Sequence, residues 1–586
     1  MTNRKHSVIA VLAAVLAMSI AACAGSAATA TEPPPIPADA LGWVRIDDAR
    51  ATLEGLDAFW KSAGIEKATG MSLAETFTRS SGIEPDRTRD AMKEIDGARP
   101  VVAAVLPSAA PGGEPSLVLY LPLRNGSASM DVLSGYFGAG EQEHPPALVG
   151  SWLVFAIDGP APAEVPETLL ALPSPSASRE GAIVATGLVG SILDAYAEEV
   201  SVAVAGLAEA FESDGTLPYD MDELAPVLLD AISQFERVEL GVAFGKEGVD
   251  LDFGLVPVEG SPASEYGRRL SEGSDGLRHL DRIPSDALYA GAWSVNPEAL
   301  AEFNTAYASI MGVEEMFGEA YSDYMDAWIE AQGASGAMSF EMEIAPDLFA
   351  RIATLQDPQA LLGMLDESIG VEIRAVQDAG NPDAWFRMAE ALADDGLFGA
   401  EFYELFETSG VGFDIRHASE GSGEDRIDTL GFEFLFGPAL SAGMDPSTFA
   451  LTQALISRIM DKFELGFAVR DGLALLSTNG RAGIDALDSG ALSDPASKDP
   501  AWRRFLLGSS EKHIGVLKLS TRSLARIFAS MDDLIGIQVD PERFDGWFFG
   551  VYSDASRLGL EASLPASDFD AAVDLYLKAS AAGLGI

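Results

Sequence analysis

The chain has 586 residues, too many for one ordinary core, so two or more domains are expected. Its 48% apolar content, with 8 Trp and 29 Phe, is ample for packed cores and argues against a disordered chain. The 90 Asp and Glu against 38 Lys and Arg leave a net charge of −52, a surface that repels phosphate backbones and makes nucleic acid a poor partner.

The N-terminus opens with Arg4 and Lys5, runs through an uncharged stretch from Val8 to Ile20, and reaches Ile20-Ala21-Ala22-Cys23. A basic start, an apolar run and small residues in that order form a secretory signal. The run is shorter than the ~20 residues a spanning helix needs. Ile20 to Cys23 resembles the lipobox of bacterial lipoproteins, and the resemblance covers only about the first 23 residues. It implies cleavage before Cys23 and acylation of that thiol. Ala24-Gly25-Ser26 places no Asp beside the cysteine, which resembles lipoproteins passed to the outer membrane where the host has two membranes. Ala24 to Pro35 reads as an extended tether. Cys23 is also the only cysteine, so internal disulfides, thiolate zinc sites and iron–sulfur clusters are excluded.

Past the tether the chain repeats itself. Ile36-Pro37-Ala38-Asp39-Ala40-Leu41 returns as Ile283-Pro284-Ser285-Asp286-Ala287-Leu288, 247 residues later. Each copy leads into a predicted strand (Gly42 to Ile46, Tyr289 to Val295) and then a helix start, with Asp47 and Asn296 as expected N-caps. Val101 to Leu106 pairs with Ser116 to Leu123 as two strands. A hairpin over Val149 to Asp158 resembles one over Val469 to Asn479. A lone strand and helix follow in each half: Ala182 to Ala185 with Leu188 to Tyr196, and Ile514 to Leu519 with Thr521 to Ala529, the latter capped by Ser520. Phe235 to Leu251 aligns without gaps to Phe544 to Leu560, an offset of 309, and both read as a hairpin followed by a helix. Val411 to His417 and Ile427 to Phe436 form one more strand pair.

Short turns imply antiparallel pairing, and helices after hairpins imply a covered face. The expected fold is therefore α+β: two related sheet-and-helix domains from an internal duplication, built of mainly antiparallel β-hairpin-α units. The expected divisions are a signal peptide at 1–22, lipidated cysteine and tether at 23–35, first repeat at 36–270, junction at 271–282, and second repeat at 283–580. The second repeat is longer by a helical insertion at about 301–409. The repeated Pro-x-Asp-Ala-Leu and its strand–helix sequel loosely resemble uncharacterised bacterial exported proteins. That resemblance implies an extracytoplasmic location and no known reaction, so it assigns no functional residues.

The sequence offers little chemistry. Its histidines (His6, His144, His279, His417, His513) never fall at helical-turn spacing, so a His-Glu-x-x-His zinc helix is absent. His417 and His513 read as surface or capping residues. Gly-x-Ser-x-Gly, a phosphate loop and Gly-x-Gly-x-x-Gly are likewise absent. An EF-hand around Asp214-Gly215 would begin at Ala210 and end at Met221, neither an acid. No cofactor is expected, with an irregular Ca²⁺ site left open. The Asp-Pro pairs at 357, 445, 494 and 499 are helix starts. Within the insertion Phe317, Tyr321, Met325 and Trp328 fall on one helical face, with Trp385 and Phe402 beyond. Such a stripe is either core or the lining of an apolar groove for a lipid or partner helix. The expected function is a lipid-anchored envelope protein with a non-catalytic binding or scaffolding role. Its partners would be the membrane, through Cys23, and an envelope protein or lipid. The alternatives are an apolar-ligand protein with a pocket between sheet and helices, and a hydrolase with an all-carboxylate site.

Overall fold

In the computed structural model, residues 34–581 are described, except 82–92, 97–98, 109–114, 126–128, 130–145, 157–181, 213–220, 273–276, 311–318, 394–410, 491, 509–512 and scattered positions within 347–366, 437–462 and 531–535. Cys23 lies outside the described residues. The first elements are β1 (Gly42–Ile46), α1 (Ala49–Ser62), α2 (Ile65–Thr69), α3 (Leu73–Ser81), β2 (Val101–Leu106), β3 (Ser116–Pro122), β4 (Ala147–Val149) and β5 (Trp152–Ala156). Then come β6 (Ile183–Leu188), α4 (Val189–Glu212), α5 (Met221–Ser233), β7 (Phe235–Gly245), β8 (Gly248–Pro257) and α6 (Pro262–Ser271). The chain continues with β9 (Tyr289–Ser294), α7 (Pro297–Ile310), α8 (Glu319–Ala331), β10 (Ser335–Ile344), β11 (Ile369–Asp378), α9 (Pro382–Leu392), β12 (Val411–Glu420) and β13 (Ile427–Phe436). The last are β14 (Leu465–Arg470), β15 (Leu473–Ser477), α10 (Gly480–Ser489), α11 (Pro500–Gly508), β16 (His513–Leu519), α12 (Thr521–Ala529), β17 (Trp547–Ser553), β18 (Leu558–Pro565) and α13 (Ala566–Ala581). The class is mixed α+β, and the described strand pairings are antiparallel.

The chain divides into two compact units that are not consecutive stretches of sequence. The first comprises Met1–Ala208, Leu224–Ser264 and Ser556–Leu577; the second comprises Glu209–Glu223, Glu265–Ala555 and Lys578–Ile586. In the first unit the strand order is β4-β5-β3-β2-β1-β6-β7-β8-β18. In the second it is β12-β13-β14-β15-β11-β10-β9-β16-β17.

The strands β3 and β5 are apolar on both faces because both are covered. Trp43, Val102, Tyr120 and Trp152 fill one face. Ile46, Leu119, Leu121 and Phe155 fill the other, against Ala49 at the start of α1. Further along the same unit, Phe59 of α1 meets Phe569 of α13 edge to face at 5.3 Å, over Val249 of β8. In the second unit Trp502 and Phe505 of α11 pack on Phe548 of β17, the Trp502 ring edge-on at 5.4 Å. Each such buried aromatic contributes on the order of 2–3 kcal/mol.

Local signals account for most boundaries. Asn296 caps α7 by accepting from Glu298 and Ala299 amides at 2.9 and 3.1 Å, and Ser520 caps α12 through Ser523 N at 3.1 Å. The cap of α1 is Asp48, not Asp47: the helix starts one residue later than expected, and Asp47 is held by Arg45 Nε at 2.6 Å. Asp499 starts α11 through Ala501 N at 2.6 Å, whereas Asp494 instead accepts from the Ser285 hydroxyl at 2.7 Å. The pairs at 357 and 445 lie outside the described residues. The segment 301–409 is not wholly helical. Besides α7, α8 and α9 it carries β10 and β11, ten residues each. β10 is rich in Met, Glu and Ala, which are helix formers, but its alternation of Met338, Phe340, Met342 and Ile344 with polar residues is a strand period. No helix among the described residues is long and apolar enough to cross a membrane.

Candidate functional site

Of the stripe expected to line a groove, Phe317 and Phe402 lie outside the described residues, and Tyr321 falls on α8 where side chains are not described. Met325 and Trp328 are half-buried on the same helix. Trp385 is half-buried on α9 and packs against the cluster of Phe386, Leu430 and Phe467. Met325, Trp328 and Trp385 line neither of the two clefts below. Nor do the described histidines gather: His279 pairs with Asp378 at 3.0 Å and His417 with Asp428 at 2.8 Å. His513, expected at the surface, is buried and stacks on Phe505 at 5.2 Å because β16 is a central strand of its unit. The loop beginning at Asp214 is outside the described residues up to Asp220. Among the described residues, His, Cys, Asp and Glu form no group of three that could hold a metal.

The first unit carries an open groove of about 550 Å³. Its floor is the sheet. Gly42 and Val44 of β1 pair with Val105 and Ala103 of β2 on one side, and with Gly187 and Ala185 of β6 on the other. Val238 and Leu240 of β7 continue it. The wall is the first two turns of α4, Ile192 and Tyr196, where the helix kinks at Tyr196 (φ −137°, ψ 35°). Among the described residues none that lines it is charged. In a chain with 90 acids such a lining suits an apolar, uncharged occupant. Gly187 keeps the floor low beside Ile192: a Cβ there would sit 3.5 Å from Ile192 Cδ1.

The second unit carries a larger, half-enclosed cleft of about 880 Å³. It lies between Asp286 and Leu288 ahead of β9, the end of β10, the start of β11, and α12. Asp286, Glu341, Glu343 and Glu367 are on its walls. Arg526, the one arginine among its described lining residues, is occupied by Asp286 at 2.9 Å and Glu542 at 3.5 Å. Burial pushes the Glu341 carboxyl up to about 7. Arg374, 3.3 Å away, opposes this, while Glu372, Asp286 and Glu343 reinforce it. A carboxyl protonated near neutrality can give or take a proton.

Neither cleft was singled out by the sequence. The groove's signal is the strict alternation in Val238, Leu240, Val242, Phe244 of β7 and Val249, Leu251, Phe253, Leu255 of β8. Alternation marks an apolar face but not which part of that face the helices leave open. Compared with known proteins, the chain matches no family model, no curated protein and no solved structure.

Proposed function

We propose that this chain is a non-catalytic binding protein of the bacterial envelope, tethered by acyl groups on Cys23, that takes an apolar, uncharged group in the groove of its first unit. The observation that carries the reading is the lining: thirteen described residues from β1, β2, β6, β7, α4 and the adjoining segments, none of them charged, in a chain of net charge −52. Ligand sites are concave and mostly apolar with few polar groups, and this groove fits that description. The signal at Ile20 to Cys23 supports the tether, and the absence of Asp after Cys23 supports the outer membrane where the host has two.

The same reading includes a duplicated unit. If β9, β10, β11, β14, β15, β16 and β17 stand for β1 to β7, those seven strands run in one order in both units. The hairpin β12–β13 is then the second copy's addition, beside β14. The closing helices support it too. In the first unit α13 packs on α1, through Phe569 and Phe59. In the second, α6 packs on α7, with Tyr266 and Phe303 rings 6.2 Å apart and Arg269 gripping Glu302 at 2.6 and 2.7 Å. The last helix of each copy thus serves the other unit. Groove and cleft are then equivalent places, each beside the helix that follows β6 or β16, with opposite linings: one copy kept or gained an apolar site, the other an acidic one.

Binding of the neutral dye Nile red to the mature chain tests the reading. Leu240→Asp puts a charge on an exposed part of the floor and should weaken dye binding about tenfold with secondary structure unchanged. Equal binding by parent and variant would rule the groove out. A hydrolase using carboxyl groups alone is the second reading, favoured only by Glu341 in its cleft.

A further inference from the structure

The groove is one end of a longer feature. Ala103, Val44, Ala185, Leu240, Phe253 and Leu560 stand directly opposite one another across β2, β1, β6, β7, β8 and β18. A second row runs beside it from Val105 through Gly42 and Gly187 to Leu558. Both rows are apolar throughout. At the far end they are open, with Leu240, Phe253 and Leu560 exposed by 46%, 38% and 54%. The next row on the same face, which includes Ile46, Ile183, Val242 and Leu251, is packed under α1 and α13. The helices therefore bound the trough on one side, and the start of α4 bounds its near end on the other.

These dimensions choose an occupant. Six strands at about 4.8 Å spacing make a floor about 24 Å long, and two rows on one face make it about 7 Å wide. A bilayer's hydrocarbon core of about 30 Å is two chains deep, so one membrane acyl chain is about 15 Å long and lies within the trough. The described lining residues offer no partner to a charged headgroup, and the net charge of −52 repels an anionic one.

We propose that the trough binds a single acyl chain of a membrane lipid with an uncharged headgroup, laid along its floor over about four of the six strands, from β1 to β8. This rests on the groove's being the binding site.

The test uses the mature chain from residue 23 with Cys23→Ser, so that no acyl group of its own competes, and neutral 1-monoacylglycerols of 8, 12 and 16 carbons displacing Nile red. Affinity should rise with chain length, by a hundredfold or more from about 8 to about 16 carbons. Phe253→Ser, at an exposed position on β8, should weaken the 16-carbon lipid about tenfold and leave the 8-carbon lipid nearly unchanged. Ala185→Trp should block all three lengths. If dye binding responds to Leu240→Asp but lipid affinity is independent of length and of Phe253, the groove stands and the acyl chain is wrong. If no dye binds, both fail. Displacement of the dye by an amphipathic helical peptide but not by any monoacylglycerol would overturn the proposal in favour of a partner helix. The acylated protein, purified from membranes, should bind the 16-carbon lipid like the Cys23→Ser form. Its failure to do so would mean that its own acyl groups fill the trough, which also overturns the proposal.

Discussion

Asp252 on β8 and Glu561 on β18 sit directly opposite each other in an antiparallel pair, and they are 309 residues apart, the interval that aligns the two hairpins. The flanking pairs, Phe253 with Leu560 and Leu251 with Ala562, exchange under the same interval. A pairing that maps onto itself has a local twofold axis, here between Asp252 and Glu561. Two identical chains meeting edge to edge through one strand have this symmetry. In the proposed duplication a single chain supplies both edges.

Two acids facing each other at the axis repel. Arg557 offsets this: it is buried, with Nη2 3.0 Å from Asp252 and 3.5 Å from Glu239. Its place under the interval is taken in the first copy by Gly248, so only a fused pair could put an arginine on one side alone. Gly254 makes room for it, since a Cβ there would fall 2.4 Å from Arg557 Nε. Arg557→Met should cost about 1–3 kcal/mol, because it takes a guanidinium from the partly buried Asp252 while Glu239 keeps its bond from Arg237 at 2.8 Å. Gly254→Ala should lose stability in the same direction by displacing the guanidinium. Urea unfolding of both variants is the measurement, and a loss under about 1 kcal/mol for Arg557→Met would show that water already serves those carboxylates.

Glu341 gives a pH signature. Burial raises its carboxyl to about 7 in the folded chain, above the ordinary 4.5. Between those values the folded state holds a proton that the unfolded state has lost, so stability from this group falls as pH rises from about 4.5 to about 7. Glu341→Gln removes the titration. Parent and variant should melt alike near pH 4, and the variant should melt higher at pH 8. A constant difference between the two across that range would mean that burial does not raise the Glu341 carboxyl.

Much of the fold was legible because period-2 alternation and capping residues are local. β12 and β13 fall where alternation placed them, and Ser520 and Asn296 cap the helices they precede. β10 was hidden inside a segment of helix formers, since its alternation competes with its composition. The candidate site was not legible. Leu240 and Phe253 share one apolar face with Phe244 and Val249, and only the positions of α1 and α13 decide which end stays open. Glu341 is one acid among 90 until burial sets it apart.

Asp428 is the sharpest case of a buried charge with full partners. It is 0% exposed and starts the β13 segment that pairs with β14. Arg426 donates to both of its oxygens at 2.7 Å, Ser419 donates at 2.8 Å, and His417 Nε2 lies 2.8 Å away. Burial alone would push the carboxyl up, but the bonds from Arg426, His417 and Ser419 outweigh it and hold it below its ordinary value. The same guanidinium lies 4.1 Å over the Phe386 ring of α9, so one arginine ties the β12–β13 hairpin to that helix. Asp428→Asn keeps the shape but sets an amide donor against donors and leaves Arg426 uncompensated. The expected loss at pH 7 is about 3–5 kcal/mol. Because the folded value is depressed, the stabilisation is present above the unfolded value near 4 and is lost as pH falls through the folded value. The gap between parent and Asp428→Asn should therefore be full from about pH 5 to 7 and close as pH drops below about 4. Chemical denaturation at a series of pH values measures it. A gap that is small at pH 7 would place the anchor of the hairpin in the apolar contacts of Leu430 and Phe467 instead.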